Sequence, residues 1–400
     1  MGNTSQGPEW RDVVETLKLH RGRLLRISGV TAVDAGFRIV EKENKRFVNE
    51  LALRVHVVRK IHHKDKAFKD RPEDLIPETL LSPSGRPIPT DVVTANYKLT
   101  SELPRRQAML ERPLLRKDVN RRKRLDPLVG GISIGSPQSP AGTLGALVWD
   151  KEDGSICILS NWHVLAGDLN AEVGNPCFQP SLFDQGRSTD VVAHLKRWSF
   201  NRQTDAAIAQ LNGSRHYSTG EILDMFQTIK DVAEQVHLGM RVHKSSRSSD
   251  HSWGFIDGLY FSTAIAYSNG LVRVFEEQIH IAPLEDRPIS EPGDSGAVWV
   301  TNAPNEGYLA VGLHFAGDLP HSSFGEYALA NPMSVVARRL NFSFRPLFLE
   351  IRDDNVIPPP ALVPHQPNGV GGPARFVTGG TLTGSGGQPF SNPIDPGGSG

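Results

Sequence analysis

Three residue types in three distinct settings could together attack a carbonyl. Ser295 stands in Glu291-Pro292-Gly293-Asp294-Ser295-Gly296, a glycine-flanked turn with an aspartate directly before the serine. A serine hydroxyl is a poor nucleophile near neutral pH, so it needs an adjacent base, and that base needs an orienting acid. His163, in Ser160-Asn161-Trp162-His163 just past the apolar run Ile156-Cys157-Ile158-Leu159, offers an imidazole that can take the proton. Asp205 opens the strand-like run Asp205-Ala206-Ala207-Ile208-Ala209 and offers a carboxylate to hold one tautomer of that imidazole. Asp184 and Asp190 compete for the orienting role, and the strand expected after Asp205 favours it over both. Taken singly, His163 also fits a hydrogen-bonded core histidine and Asp205 a strand-start turn residue.

The elements that must position these groups are mostly short strands. Leu144–Trp149 and Ser155–Ser160, joined by the turn Lys151-Glu152-Asp153-Gly154, form an expected hairpin with the histidine just beyond its second strand. Runs of this kind recur with turn residues between them, the texture of an all-β barrel or sandwich. Ile132-Ser133-Ile134-Gly135 reads as a first strand, and Met333–Leu340 has helical spacing. Upstream, an amphipathic stretch over Trp10–Leu25 is followed by alternating runs at Val30–Val40 and Leu51–Val58 and a short strand at Asp91-Val92-Val93, a small α+β unit.

By texture the chain divides into an α+β segment over 1–104, a basic linker over 105–128, a β-rich body over 129–352 and a Pro/Gly-rich tail over 353–400. The tail holds too little apolar surface to offset its ordering entropy and is expected to be disordered. Arg121-Arg122-Lys123-Arg124 closes the linker without interleaved aromatics, so a solvated run is expected rather than a nucleic-acid patch.

With 44 basic and 44 acidic residues the formal net charge is zero, which suggests neither nucleic acid nor an anionic membrane as a bulk partner. No apolar run approaches transmembrane length, and the start of the sequence lacks a secretory pattern. Cys157 and Cys177 are the only cysteines, so a reducing, cytoplasmic setting is expected. His62-His63, His314 and His321 lack zinc-like spacing, and no metal or cofactor is implied.

The chain order His163, Asp205, Ser295, with those three contexts, resembles the chymotrypsin-like (trypsin-fold) serine peptidases of the intracellular bacterial type over residues 129 to 345. The resemblance implies a mainly β architecture, a double β-barrel with a closing helix at Met333–Leu340, here behind a small N-terminal α+β domain. It implies peptide-bond hydrolysis through an acyl-enzyme, with the backbone N–H groups of Gly293 and Ser295 as oxyanion donors. It also places Ser290 and the strand Leu309–Gly317 at the walls of the pocket for the residue before the scissile bond. Within that strand, Gly312-Leu313-His314-Phe315 is similar to the pocket strand of glutamyl endopeptidases and viral 3C-type proteases, which implies that His314 meets a Glu or Gln side chain. On this reading Glu substrates gain over Gln as pH falls toward the histidine pKa; a structural histidine packed beside Phe315 is the other reading of that residue. Leu128-Val129-Gly130-Gly131 superficially matches the N-terminus released on zymogen cleavage, whose amine would pair with Asp294. The expected partner is a protein or peptide substrate. A non-catalytic binding module on the same scaffold and an esterase are the rival functions, and the sequence leaves the oligomeric state open.

Overall fold

In the computed structural model the described residues are 8–42, 45–60, 75–99, 120–267, 270–284, 288–318 and 327–347. Most of the expected linker and the whole of the expected tail from 353 lie outside them. Met1–Phe348 forms one unit and Leu349–Gly400 another.

The amphipathic stretch is the helix α1 (Trp10–Leu24), which buries Val13, Val14, Leu17 and Leu24 on one stripe. Each such apolar side chain contributes roughly 1.5–3 kcal/mol on burial. Asp12 in the first turn and Arg21 and Arg23 in the last complement the helix dipole. The stripe packs on Val33, Ala35, Leu53 and Val55 of β1 (Val30–Lys42) and β2 (Lys45–Val57), an antiparallel pair in which Val33 faces Val55. Beyond them lie β3 (Thr79–Leu81), β4 (Pro87–Thr94), which runs parallel to β2, and β5 (Tyr97–Leu99).

The body begins with β6 (Leu128–Gly130), β7 (Ile132–Ile134), β8 (Gly142–Leu144), β9 (Ala146–Asp150) and β10 (Ile156–Ser160). The one-turn helix α2 (Trp162–Leu165) follows, then β11 (Pro176–Phe178), β12 (Val191–Phe200) and β13 (Asp205–Leu211). The expected hairpin is present, β9 and β10 pairing Val148 with Cys157. Later in the chain come β14 (Tyr217–Ile222), β15 (Ile229–Val232), β16 (Arg241–Ser246), β17 (Asp250–Ala266) and β18 (Val272–Pro283). The last elements are β19 (Val298–Asn302), β20 (Tyr308–Asp318), β21 (Ala328–Pro332), α3 (Met333–Leu340) and β22 (Phe342–Ser343).

The architecture is mainly β, as expected. One six-stranded sheet runs β11-β12-β13-β10-β9-β22 and a larger one runs β16-β19-β20-β21-β18-β17-β1-β2-β4-β3, with β5 and β15 added on β20. Inward faces of both sheets share buried cores: Leu147, Ile158 and Ala207 of the first join Phe261, Phe275 and Phe315 of the second. The α3 helix covers a second core through Met333, Val336 and Leu340, the spacing its sequence predicts.

The α+β segment is not set apart from the body. Its β1 pairs antiparallel with β17, Ala32 opposite Thr263, so one sheet runs through both. A buried polar network crosses the seam. Arg54 donates to Asp34 Oδ1 at 2.8 Å and to Asp257 Oδ2 at 2.6 Å, and Tyr97 Oη lies 2.9 Å from His56 Nδ1 and 2.8 Å from His280 Nε2. Such groups tolerate burial only because each finds a partner. The basic run also departs from the solvated expectation at Arg121, whereas Arg124 stays exposed. Arg121 is buried, donating to Ser245 Oγ at 2.7 Å and Gly131 O at 3.0 Å, and Arg124 pairs with Asp190 at 2.7 Å. Ser245, 124 positions from Arg121 and unseen in the local pattern, helps to hold that guanidinium inside.

Candidate active site

Strand pairing brings His163 and Asp205 together. β10 and β13 run antiparallel with Ser160 opposite Ala207, so the residues just past the end of β10 lie beside the start of β13. Asn161 fixes the junction by donating from Nδ2 to Asp205 O at 2.6 Å, and α2 then turns His163 toward the carboxylate. His163 Nδ1 lies 2.6 Å from Asp205 Oδ2, and the His163 backbone N–H donates to Oδ1 at 3.1 Å. An ionised carboxylate only accepts, so Nδ1 carries the proton and Nε2 presents its lone pair. That Nε2 is buried and has no hydrogen-bond partner. Trp162 stacks on Phe200 at 4.0 Å and 11°, and Tyr267 meets both rings edge-on, which stiffens the turn.

The competing carboxylates are engaged elsewhere. Asp184 receives Arg247 Nε at 2.6 Å and Asp190 receives Arg124 and Arg215. Asp205 is the one at the imidazole.

Ser295 sits in the loop that enters β19. The loop is tied to β20 by Gly296 N–H donating to His314 O and His314 N–H donating to Ala297 O, both at 2.9 Å, and to β8 by Thr143 N–H donating to Ser295 O at 2.7 Å. The Ser295 hydroxyl donates to Phe315 O at 3.3 Å. Two glycines show how closely this loop approaches the histidine's hairpin. Gly296 has φ of +96°, and a Cβ there would lie 2.0 Å from Oγ of Ser160, the last residue of β10. A Cβ on Gly142 would lie 2.4 Å from Val164 Cγ2, next to His163 in sequence, and 2.9 Å from Ser295 O. Only glycine fits such contacts without moving backbone.

Asp294 is wholly buried. It accepts from Lys244 Nζ at 3.0 Å, Ser246 Oγ at 2.8 Å, and the backbone N–H groups of Glu291 at 2.9 Å and Ser249 at 3.0 Å. Burial alone would raise its pKa, but Lys244, His314 and the Ser249 hydrogen bonds outweigh burial and hold the carboxyl below its usual range. Burial pulls the Lys244 ammonium below its usual value, with Asp294 opposing. In the uncut chain Asp294 already has a cation beside it, without a released N-terminus at Leu128–Gly131. Leu128–Gly130 is β6, paired with β14, and the cation beside Asp294 is internal.

Ser290 and His314 are brought together as expected, Ser290 Oγ lying 3.2 Å from His314 Nε2, with both residues buried. The Trp299 indole N–H donates to His314 Nδ1 at 3.3 Å. An indole only donates, so Nδ1 is the acceptor and Nε2 carries the proton toward Ser290. Burial, with Lys244 adding to it, pushes the His314 pKa down to about 3. The imidazole is thus a neutral donor.

Sequence reasoning missed Tyr267, which donates to Asp205 Oδ2 at 2.8 Å, as well as Asn161, Lys244 and Trp299. Asn161 stands two positions before the histidine and carries a local signal; the others lie 15 to 62 positions from the groups they touch. Among the described residues no group of three His, Cys, Asp or Glu side chains could hold a metal ion, and no helix is long and apolar enough to cross a membrane.

No protein-family model and no curated protein matches this sequence. Solved structures of bacterial serine proteases are similar to it. Protease A of Thermobifida fusca is 14% identical over 54% of this chain and 96% of its own, with a TM-score of 0.39. A Cellulomonas bogoriensis chymotrypsin is 15% identical over 55% of this chain and 98% of its own, with a TM-score of 0.38. A glutamic-acid-specific serine protease described as using a histidine triad in substrate binding is 18% identical over 54% of this chain and 99% of its own, with a TM-score of 0.40.

Proposed function

We propose that this protein is a chymotrypsin-like serine endopeptidase that cleaves through an acyl-enzyme, with Ser295 as nucleophile, His163 as general base and Asp205 as its orienting acid. The observation that carries the reading is the His163 imidazole, fixed at Nδ1 by Asp205 and left with a buried, unpartnered Nε2, while the neighbouring Val164 and the Ser295 carbonyl both pack on Gly142.

In the proposed mechanism Nε2 takes the Ser295 proton as Oγ attacks the scissile carbonyl, and Asp205 stabilises the imidazolium. The N–H groups of Gly293 and Ser295 receive the oxyanion. The Lys244–Asp294 pair holds that loop from beneath, and Thr143 Oγ1 fixes the Gly293 carbonyl at 2.8 Å. His163 then protonates the leaving amine, and water attacks the acyl-enzyme by the reverse route.

Specificity in this reading comes from Ser290 and the Nε2–H of His314, both suited to a Glu or Gln side chain before the scissile bond. The two cysteines are unpaired and buried, and burial raises the thiols to about 11 for Cys157 and about 12 for Cys177. Inert, unpaired thiols fit the cytoplasmic setting expected from the sequence.

The test is a fluorophosphonate probe followed by cleavage profiling on a peptide library. Ser295 should label, and Ser295→Ala should lose both labelling and cleavage with its fold unchanged. Cleavage by pure Ser295→Ala protein would overturn the nucleophile; a wild type that never labels would favour a binding module.

A further inference from the structure

Strand β20 leaves the nucleophile with an edge available for pairing. Phe315 carries the carbonyl that accepts from Ser295, and a bulge lies between His314 and Ala316 in its pairing with β21. β19 pairs with β20 only as far as Leu313, so Ala316-Gly317-Asp318 projects past it on that side. An extended peptide whose scissile bond reached Ser295 would lie along this stretch, because an open sheet edge satisfies a peptide's backbone groups by adding it as a strand.

That edge is already taken. β5 pairs antiparallel with it, Leu99 opposite Ala316, Lys98 opposite Gly317 and Tyr97 opposite Asp318. The strand is firmly held. Leu99 is fully buried in the main core, the Tyr97 hydroxyl bridges His56 and His280, and Asn96 N–H donates to Asp318 Oδ1 at 2.8 Å. Lys98 between them is exposed, the alternation of an ordinary paired strand. Ser295 itself is wholly shielded from solvent.

We infer that β5 is this chain's own occupant of the peptide-binding edge, so that an extended substrate must displace Tyr97–Leu99 before it can pair. The inference rests on the peptidase reading and adds to it the state of the site. A tethered strand competes at an effective concentration in the millimolar range or above, which a free peptide does not match. Substrates too short to pair along Ala316–Asp318 do not compete with β5 for that edge.

Two nitrophenyl esters with the same leaving group separate the cases, one a single acylated Glu and one a tetrapeptide ending in Glu. For the wild type, kcat/KM should differ by no more than about threefold between them, because the added residues find no free edge. Lys98→Pro removes a backbone donor at the exposed position, and Leu99→Asp places a charge in the core. Either should raise the tetrapeptide rate by roughly tenfold or more while leaving the short ester unchanged. Lys98→Pro is the milder change if Leu99→Asp does not fold, and the wild-type comparison needs no variant. A wild type that already prefers the tetrapeptide by on the order of a hundredfold would show a free edge and overturn the inference alone. Absence of both ester turnover and fluorophosphonate labelling in every protein would instead bring down the peptidase reading, and this inference with it.

Discussion

Tyr267 Oη donates to Asp205 Oδ2 at 2.8 Å, on the same oxygen that His163 Nδ1 approaches at 2.6 Å. The carboxylate is therefore held from two sides, by the imidazole it orients and by a phenol just past the end of β17. Its backbone is held as well, Asp205 N–H donating to Asn331 Oδ1 at 3.0 Å.

Tyr267→Phe keeps the ring against Trp162 and Phe200 and removes only the hydroxyl. On the proposed mechanism kcat should fall roughly tenfold, about 1.4 kcal/mol of transition-state stabilisation, with KM little changed. Steady-state kinetics with a short ester checks this, and an unchanged kcat would show that the hydroxyl does not position Asp205.

Lys244→Met should destabilise the protein by roughly 3–5 kcal/mol, because it leaves the Asp294 carboxylate buried beside an apolar chain. The Asp294 pKa is depressed in the folded state, so its contribution is present above its ordinary value of about 3.9 and is lost as pH falls below it. The variant should lose less stability than the wild type on acidification through that range. Urea midpoints at neutral and acidic pH test both statements; an equal acid loss would place the effect elsewhere.

Three buried histidines set a second pH dependence. Burial is the leading cause that lowers His56 and His243 to about 4 and His314 to about 3. In the unfolded chain they titrate near 6.5, so between about 6.5 and 4 the unfolded state binds protons that the native state refuses. Stability should therefore fall as pH drops through that window, by at most about 1.4 kcal/mol per pH unit for each group. A urea midpoint that stays flat from pH 7 to 4.5 would contradict the neutral burial of these rings.

His314→Ala should lower kcat/KM for Glu and Gln substrates by roughly ten- to a hundredfold and hardly affect an Ala substrate, because a buried polar group then lacks its donor. Since the imidazole is neutral over the working range, the Glu-to-Gln ratio should stay flat from pH 5 to 8. Equal losses on every substrate would reject His314 as a specificity residue.

Sequence alone was enough for whatever local pattern encodes. The buried stripe of α1, the β9–β10 hairpin, the α3 spacing and the glycines around Ser295 are each consequences of short-range periodicity or backbone sterics. His163, Asp205 and Ser295 stood out because each chemistry-bearing type sat at the end of a recognisable element, and their order supplied a resemblance. Tertiary structure decided which groups meet. Asp205 rather than Asp184 or Asp190 reaches His163 because the β10–β13 register sets it there, while arginines neutralise the other two. The Lys244–Asp294 pair and the placement of β5 against β20 join residues 50 and more than 200 positions apart. No periodicity spans such separations. These contacts come from burying charges and open sheet edges together, a cost that local sequence does not register and the assembled fold must satisfy.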